Sequence, residues 1–492
     1  MTSSAPSSST VAIIGSGFGG LGMAWYLKQA GIRSFTIFEK SNEVGGTWRE
    51  NRYPGAGCDV PSHLYSFSFE SHYPWAWRYA KQGEILDYQR HVARKHEIYP
   101  HVRFGCEVLG ADFDAARGLW VLRLASGETH EARFLVSAVG QLHRPAYPKI
   151  PGGIRFAGKS FHSAHWDSDY DLRGKTVAVI GTGASAVQFV PEVARQAKQL
   201  YLYQRTPGWT LPKVEAPISR AQRRLMQALP LVERLDRVRI FALLELLALG
   251  LMGNKLVEWA LHKVASFQLW RQVRDPQLRR KLTPDFPVGC KRILLSNEWY
   301  PTLCRDNVEL VSEPVQELTE TGVRTADGRL REVDAVIYGT GFAATELLAP
   351  MQIRGTDGRE LRAHWQAGAE AYLGISVAGF PNLGMLYGPN TNVGSGSIIY
   401  MLECQQRYLA ALIRAQQDAG WVSADIKPDV QAAFVAEVQA RSANSAFEGS
   451  CQSWYKTADG RNTNNWVGTM SEFRRRTAAP DLSHYQLQAA AP

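Results

Sequence analysis

Two glycine-rich loops in this 492-residue chain each follow an apolar run and lead into a stretch with helical spacing. The first is Val11-Ala-Ile-Ile-Gly15-Ser-Gly17-Phe-Gly-Gly20, and the second is Val177-Ala-Val-Ile-Gly181-Thr-Gly183-Ala-Ser-Ala186. Glycines at these positions permit a tight turn and close backbone approach, and the helix that follows offers free N–H groups to a pyrophosphate. Ala186 stands where the third glycine is expected, a permitted variant. Each unit then closes on a residue suited to an adenosine ribose. Glu39 lies 24 residues after Gly15, and Arg205 lies 24 after Gly181. A carboxylate there bonds the ribose hydroxyls, whereas an arginine accommodates a 2′-phosphate. The pair of loops therefore predicts two dinucleotide sites, one suited to FAD and one to NADPH.

The elements that must hold these sites predict an α/β fold with two Rossmann-like dinucleotide-binding domains and a helical insertion. Residues 11–144 read as the first part of an FAD-binding domain, closing on the strand-like Ala132–Gly140. Residues 145–173, with Pro145, Pro148 and Pro151, read as a linker. Residues 174–211 and 286–344 read as two parts of an NADP-binding domain, and 212–285 as a helical insertion between them. Residues 345–492 complete the FAD-binding domain, with a Gly-, Asn- and Ser-rich loop at 381–397 and a helix after it. Within the insertion, Ile240 to Met252 is apolar except for Glu245. It is shorter than the roughly 20 residues a membrane span needs. Three readings fit it: a buried helix, a wall of an apolar substrate channel, or a membrane-surface helix flanked by Arg234, Arg237, Arg239 and Lys255.

Composition excludes other classes. The formal charge of +9 is modest, arginines gather in the middle of the chain, and no nucleic-acid motif accompanies them. Six cysteines (58, 106, 290, 304, 404, 451) form no C-x-x-C pair. That argues for a reducing cytoplasm, and against a zinc site, a redox-active dithiol or a flavin disulfide reductase. Met1 to Thr10 is polar, lacks the apolar core of a secretory signal, and reads as a loose tail. Oligomeric state is not legible.

The segment Phe156-Ala-Gly158-Lys-Ser-Phe-His162-Ser-Ala-His-Trp166-Asp167 matches F-x-G-x-x-x-H-x-x-x-W-[PD] at every fixed position. It resembles the fingerprint of type I Baeyer–Villiger monooxygenases. Gly45-Gly46-Thr-Trp48, Asn51-Arg52-Tyr53-Pro54-Gly55, Cys58-Asp59 and Gly289-Cys290-Lys291-Arg292 extend the resemblance, which runs from about residue 11 to 475 and weakens in the insertion. Trp166 separates this family from related flavin-containing monooxygenases, which usually carry Tyr or Phe there.

The resemblance implies an NADPH- and O2-dependent flavoprotein that inserts one oxygen atom beside a ketone carbonyl, through a C4a-peroxyflavin, to give an ester or lactone. The rival chemistry is oxygenation of sulfur, nitrogen or a long alkyl chain. It further implies that Arg292 stabilises the anionic peroxide and that Asp59 holds the guanidinium. By the same comparison Gly15, Gly17, Gly20, Glu39, Trp48, Asp59 and Tyr65 serve FAD, while Gly181, Gly183, Ala186, Arg205, Thr206 and Lys291 serve NADPH. Trp454 resembles a family tryptophan near the nicotinamide and substrate. His162 and Trp166 read as hinge residues. The expected partners are O2 and a small lipophilic ketone, with no metal and no nucleic acid.

Overall fold

The computed structural model describes residues 7–448, 451, 453–457 and 459–489. The run Val11–Ile14 is buried on both faces, as a central parallel strand requires. Its strand, Ser7–Ile14, lies between Phe35–Phe38 and Thr129–Ser137, parallel to both. The sheet continues through the antiparallel strands Leu119–Leu124 and Val108–Asp114 to Gln352–Arg354, and Leu383–Met385 pairs alongside Thr129–Ser137. The C-terminal part of the chain thus supplies two strands to the first sheet. The helix Ile398–Ala419 packs on Phe18–Gln29, the helix that follows the first glycine loop.

A second, wholly parallel sheet has the order Val308–Val311, Gln199–Tyr203, Thr176–Ile180, Ala335–Tyr338, Lys159–His162. Its edge strand, Lys159–His162, comes from the fingerprint, so that segment is sheet as well as linker. Phe161 and His162 are buried there, which fixes the strand against Ala335–Tyr338.

Two expectations are corrected. Ser7–Thr10 is not a tail: it extends the central strand, and the hydroxyls of Ser7 and Ser9 each bond a ring nitrogen of buried His130 at 2.8 Å. Met1–Pro6 lie outside the described residues. The cysteines also pair: Cys290 and Cys451 form a disulfide across 161 residues of sequence, a juxtaposition that spacing rules cannot reveal. This removes the cysteine pattern as an argument for a reducing compartment.

The insertion is helical from Arg220 to Leu282, with long helices at Pro230–Leu251 and Lys255–Gln272, while 212–219 and 283–285 are not helical. Glu245, the polar exception in the apolar stretch, caps another helix: its carboxylate accepts the Met470 and Ser471 N–H groups that begin Met470–Arg476. The stretch is not simply buried, since Leu243, Leu246 and Leu249 are exposed. Among the described residues, no single helix is long and apolar enough to cross a membrane.

Candidate active site

Both glycine loops open into one cleft of about 1200 Å³, larger than the roughly 300–1000 Å³ of a usual single-ligand pocket. On the first side Gly15 has φ +101°, and a Cβ there would lie 2.8 Å from the Ala138 carbonyl oxygen. A Cβ on Gly20 would run into the Gly15 carbonyl. At Gly17 only Gly46 stands near, which leaves the backbone open to the cleft. Glu39 is buried and accepts from the Ser16 N–H and hydroxyl at 3.0 and 2.7 Å and from the Ser41 N–H at 2.9 Å. Trp48 donates its indole N–H to the Tyr65 hydroxyl at 3.1 Å.

The second side is barer. Gly181 has φ +109°, and the absence of a side chain at Gly339 makes room for Ala186. Arg205 and Thr206 are exposed, and Arg205 forms no ion pair among the described residues. The Lys291 ammonium contacts the Thr206 hydroxyl and lies 4.8 Å from the centre of the Phe286 ring. Burial and then the repulsion of Arg205 push the Lys291 pKa down. Two cations held together with little opposing charge favour an incoming anion.

Arg292 and Asp59 both line the cleft, Nη2 to Oδ2 at 3.8 Å. Burial opposes the guanidinium's charge, but the Asp59 carboxylate beside it raises the Arg292 pKa. Burial pushes the Cys58 thiol up to about 12, so it stays neutral. Trp454 lines the same cleft, its ring 4.6 Å from that of Tyr455. The disulfide of Cys290 ties the Lys291–Arg292 loop directly to this C-terminal segment.

The donors and acceptors suit a large polar guest. Asn51 Oδ1, Asp59 Oδ1, Gln141 Oε1 and His143 Nδ1 are buried, line the cleft, and find no hydrogen-bond partner among the described residues. Orphaned buried polar atoms are costly, at roughly 1–3 kcal/mol each. A flavin dinucleotide, rich in donors and acceptors, fits such a lining.

His162 and Trp166 do not face the cleft. Trp166 packs on Phe161 and Phe189, at 5.2 and 5.4 Å between ring centres. His162 is fully buried, accepts the Ala164 N–H at Nδ1, and is pushed down to about 4 by burial and then by His165. Its ring lies between Tyr147 and Phe342, one from each chain crossing between the two sheets. Those crossings run side by side, joined by Ala146 N–H to the Gly341 carbonyl and Ala343 N–H to the Arg144 carbonyl.

Sequence reading missed several residues. Gln188, on the helix Ala184–Gln196, bonds the Tyr53 hydroxyl at 3.0 Å and the Gly57 carbonyl at 2.9 Å. It clamps the Asn51–Gly55 motif of the first unit onto the second. Gly55, at φ +80°, lets the chain approach the Gln188 carbonyl. Tyr387 lines the cleft and donates to Asn392 Oδ1 at 2.8 Å, and Asn392 sits in the Asn390–Ser397 loop, to which the sequence assigned no role. The Tyr53 position within its motif was the available signal; a lone glutamine on a helix carried none.

The family model for flavin-binding monooxygenase-like proteins matches residues 8–348. A Baeyer–Villiger monooxygenase of Pseudomonas aeruginosa is 44 % identical over 479 residues, which are 97 % of this chain and 91 % of that protein. The fold superposes on an oxidized steroid monooxygenase bound to NADP, with TM-score 0.88 and 30 % identity over 98 % of this chain and all of the other. An OTEMO complex with FAD and NADP gives the same TM-score, identity and coverage. The glycine loops with their contrasting Glu39 and Arg205, the shared cleft and these likenesses lead to one assignment: the chain belongs to the flavin-binding monooxygenase-like family, among its Baeyer–Villiger monooxygenases.

Proposed function

We propose that this enzyme uses NADPH and O2 to insert one oxygen atom beside the carbonyl of a small lipophilic ketone, releasing an ester or lactone. The observation that carries the reading is the Arg292–Asp59 pair in the cleft shared by both glycine loops. Bound flavin would supply hydride acceptance and oxygen activation. Arg292 keeps its charge and offers a planar fork of donors to the oxyanion that develops on the carbonyl oxygen under attack. Asp59 orients that fork. Arg205, Thr206 and Lys291 hold the 2′-phosphate through charge-assisted bonds. Trp454 borders the substrate end.

His162 and Trp166 act on geometry, with no proton transfer. His162 wedges under both crossings between the units, where small shifts would alter how the second unit sits on the first. Its displaced pKa keeps it neutral near pH 7, which suits packing.

The test is oxidation of a ketone panel and a matched thioether with NADPH and isotopically labelled O2, with mass analysis of the products. Esters carrying one labelled oxygen are expected. Sulfoxide alone, with every ketone untouched, would move the enzyme to heteroatom oxygenation.

A further inference from the structure

The two long insertion helices are turned partly inside out. Along Pro230–Leu251, Leu231, Leu235, Val238, Leu246 and Leu249 recur at spacings of four, three, eight and three residues. At 3.6 residues per turn these positions share one face. All five are exposed. The inward face carries charge: Glu233 meets His72 at 2.6 Å, Asp236 meets His63 at 2.8 Å, and Arg237 donates to the His63 carbonyl at 2.6 Å. Arg237, a basic flank in the sequence reading, therefore points inward. The second helix, Lys255–Gln272, turns 102° from the first and presents Leu256, Trp259, Phe267 and Trp270 to solvent. Eleven of the eighteen exposed large apolar residues among the described ones lie on these two helices. So concentrated a set marks an interaction surface.

Charge identifies the partner. Residues 212–285 hold fourteen Lys and Arg against seven Asp and Glu, so +7 of the chain's +9 lies in the insertion. Arg224, Arg234, Lys263, Arg271 and Arg274 are exposed there and form no ion pair among the described residues. Lys263 lies over the Trp259 ring at 5.8 Å, in the middle of the exposed apolar face. Exposed leucines and tryptophans ringed by unpaired cations match an anionic bilayer: acyl chains take the apolar side chains, the headgroup region suits tryptophan, and phosphates meet the guanidinium groups.

We propose that the outer faces of Pro230–Leu251 and Lys255–Gln272 dock the enzyme on an anionic membrane surface without spanning it. The inner side of the first helix backs the cleft. Leu244 O accepts from Ser395 at 3.0 Å, and Leu251 packs on Gly289 and Gly394, beside the cleft-lining Val393 and Gly396. Docking would set that wall next to the bilayer, where lipophilic molecules collect. Docking through these faces is independent of whether the substrate is a ketone.

The experiment is co-sedimentation of the FAD-loaded enzyme with vesicles of phosphatidylcholine alone and with added phosphatidylglycerol, at low and high salt. We expect binding to the anionic vesicles, weakened by salt. The double variant Leu235→Glu/Leu246→Glu should weaken it by about tenfold or more, with FAD content and NADPH consumption unchanged. Arg234→Gln/Arg271→Gln should lose the preference for phosphatidylglycerol. Enzyme left in the supernatant with anionic vesicles would overturn the proposal, as would equal, salt-insensitive binding to both. So would self-association of the wild type, seen by light scattering and abolished by the leucine variant, which would give the surface to a second copy of the chain.

Discussion

The two dinucleotide units share a plan and differ in how finished they are. In the first, Glu39 is buried and already holds three hydrogen bonds, and Trp48 is bonded to Tyr65. In the second, Arg205 stands exposed, and Lys291 sits beside it with a depressed pKa. A prearranged, enclosed lining reduces the ordering cost of binding and suits a resident flavin. An open pair of cations suits a guest that arrives, gives up hydride and exchanges. Arg292 and Lys291 are adjacent in sequence yet face different partners: one meets Asp59, the other Thr206.

The largest test bears on the cleft that joins the units. Arg292→Ala should cut ester formation by about 10²–10³-fold, the usual cost of losing a donor to a developing oxyanion. FAD should stay bound and NADPH should still be consumed, with hydrogen peroxide released. Arg292→Lys should rescue poorly, because a point charge lacks the planar fork. Normal ester yield in Arg292→Ala would remove Arg292 from the chemistry of the cleft.

Arg205→Ala should weaken NADPH use by roughly 10- to 150-fold, from ~1.5–3 kcal/mol of charge-assisted bonding, and leave NADH nearly unchanged. Equal losses with both coenzymes, measured as kcal-equivalent changes in kcat/KM, would erase the contrast with Glu39.

The third test concerns backbone room. Gly20→Ala should destabilise the protein by about 1–3 kcal/mol through overpacking against the Gly15 carbonyl, read as a drop in Tm and in bound FAD. Ala186→Gly should cost only ~0.5–1 kcal/mol, the backbone-entropy cost of glycine in a helix, since Gly339 leaves room for either residue there and no clash is made or relieved. Similar costs at both loops would mean that the two turns are interchangeable.

The smallest effect is in pH. Lys291 loses its proton at lower pH than an ordinary lysine, because of burial and Arg205. A bound phosphate favours the charged form. NADPH affinity should therefore be full below the depressed pKa and fall as pH rises through it, by about tenfold for one charged bond. NADH affinity should stay flat, and Lys291→Met should flatten the NADPH profile. Parallel profiles for the two coenzymes in the native enzyme would remove Lys291 from the phosphate site.

What was legible in the sequence was local. A glycine turn, its flanking strand and the residue closing the next strand lie within about one βαβ unit, so their chemistry reads directly from spacing. The helical insertion, the helix after residue 397 and the return of the C-terminal chain to the first sheet were likewise readable from pattern. Tertiary structure decided what depends on distant partners. Gln188 became a clamp only because Tyr53 and Gly57 fold onto its helix. Cys290 met Cys451 across 161 residues. Glu245 proved to be a cap for a helix 225 residues away, and serines read as tail proved to be strand because His130 lies beside them. The insertion shows the limit most clearly. Its composition announced an apolar helix, but periodicity cannot tell which face meets protein, since leucines and ion pairs both recur with the helical turn. Only the positions of His63 and His72 turn the charges inward and leave the leucines outside.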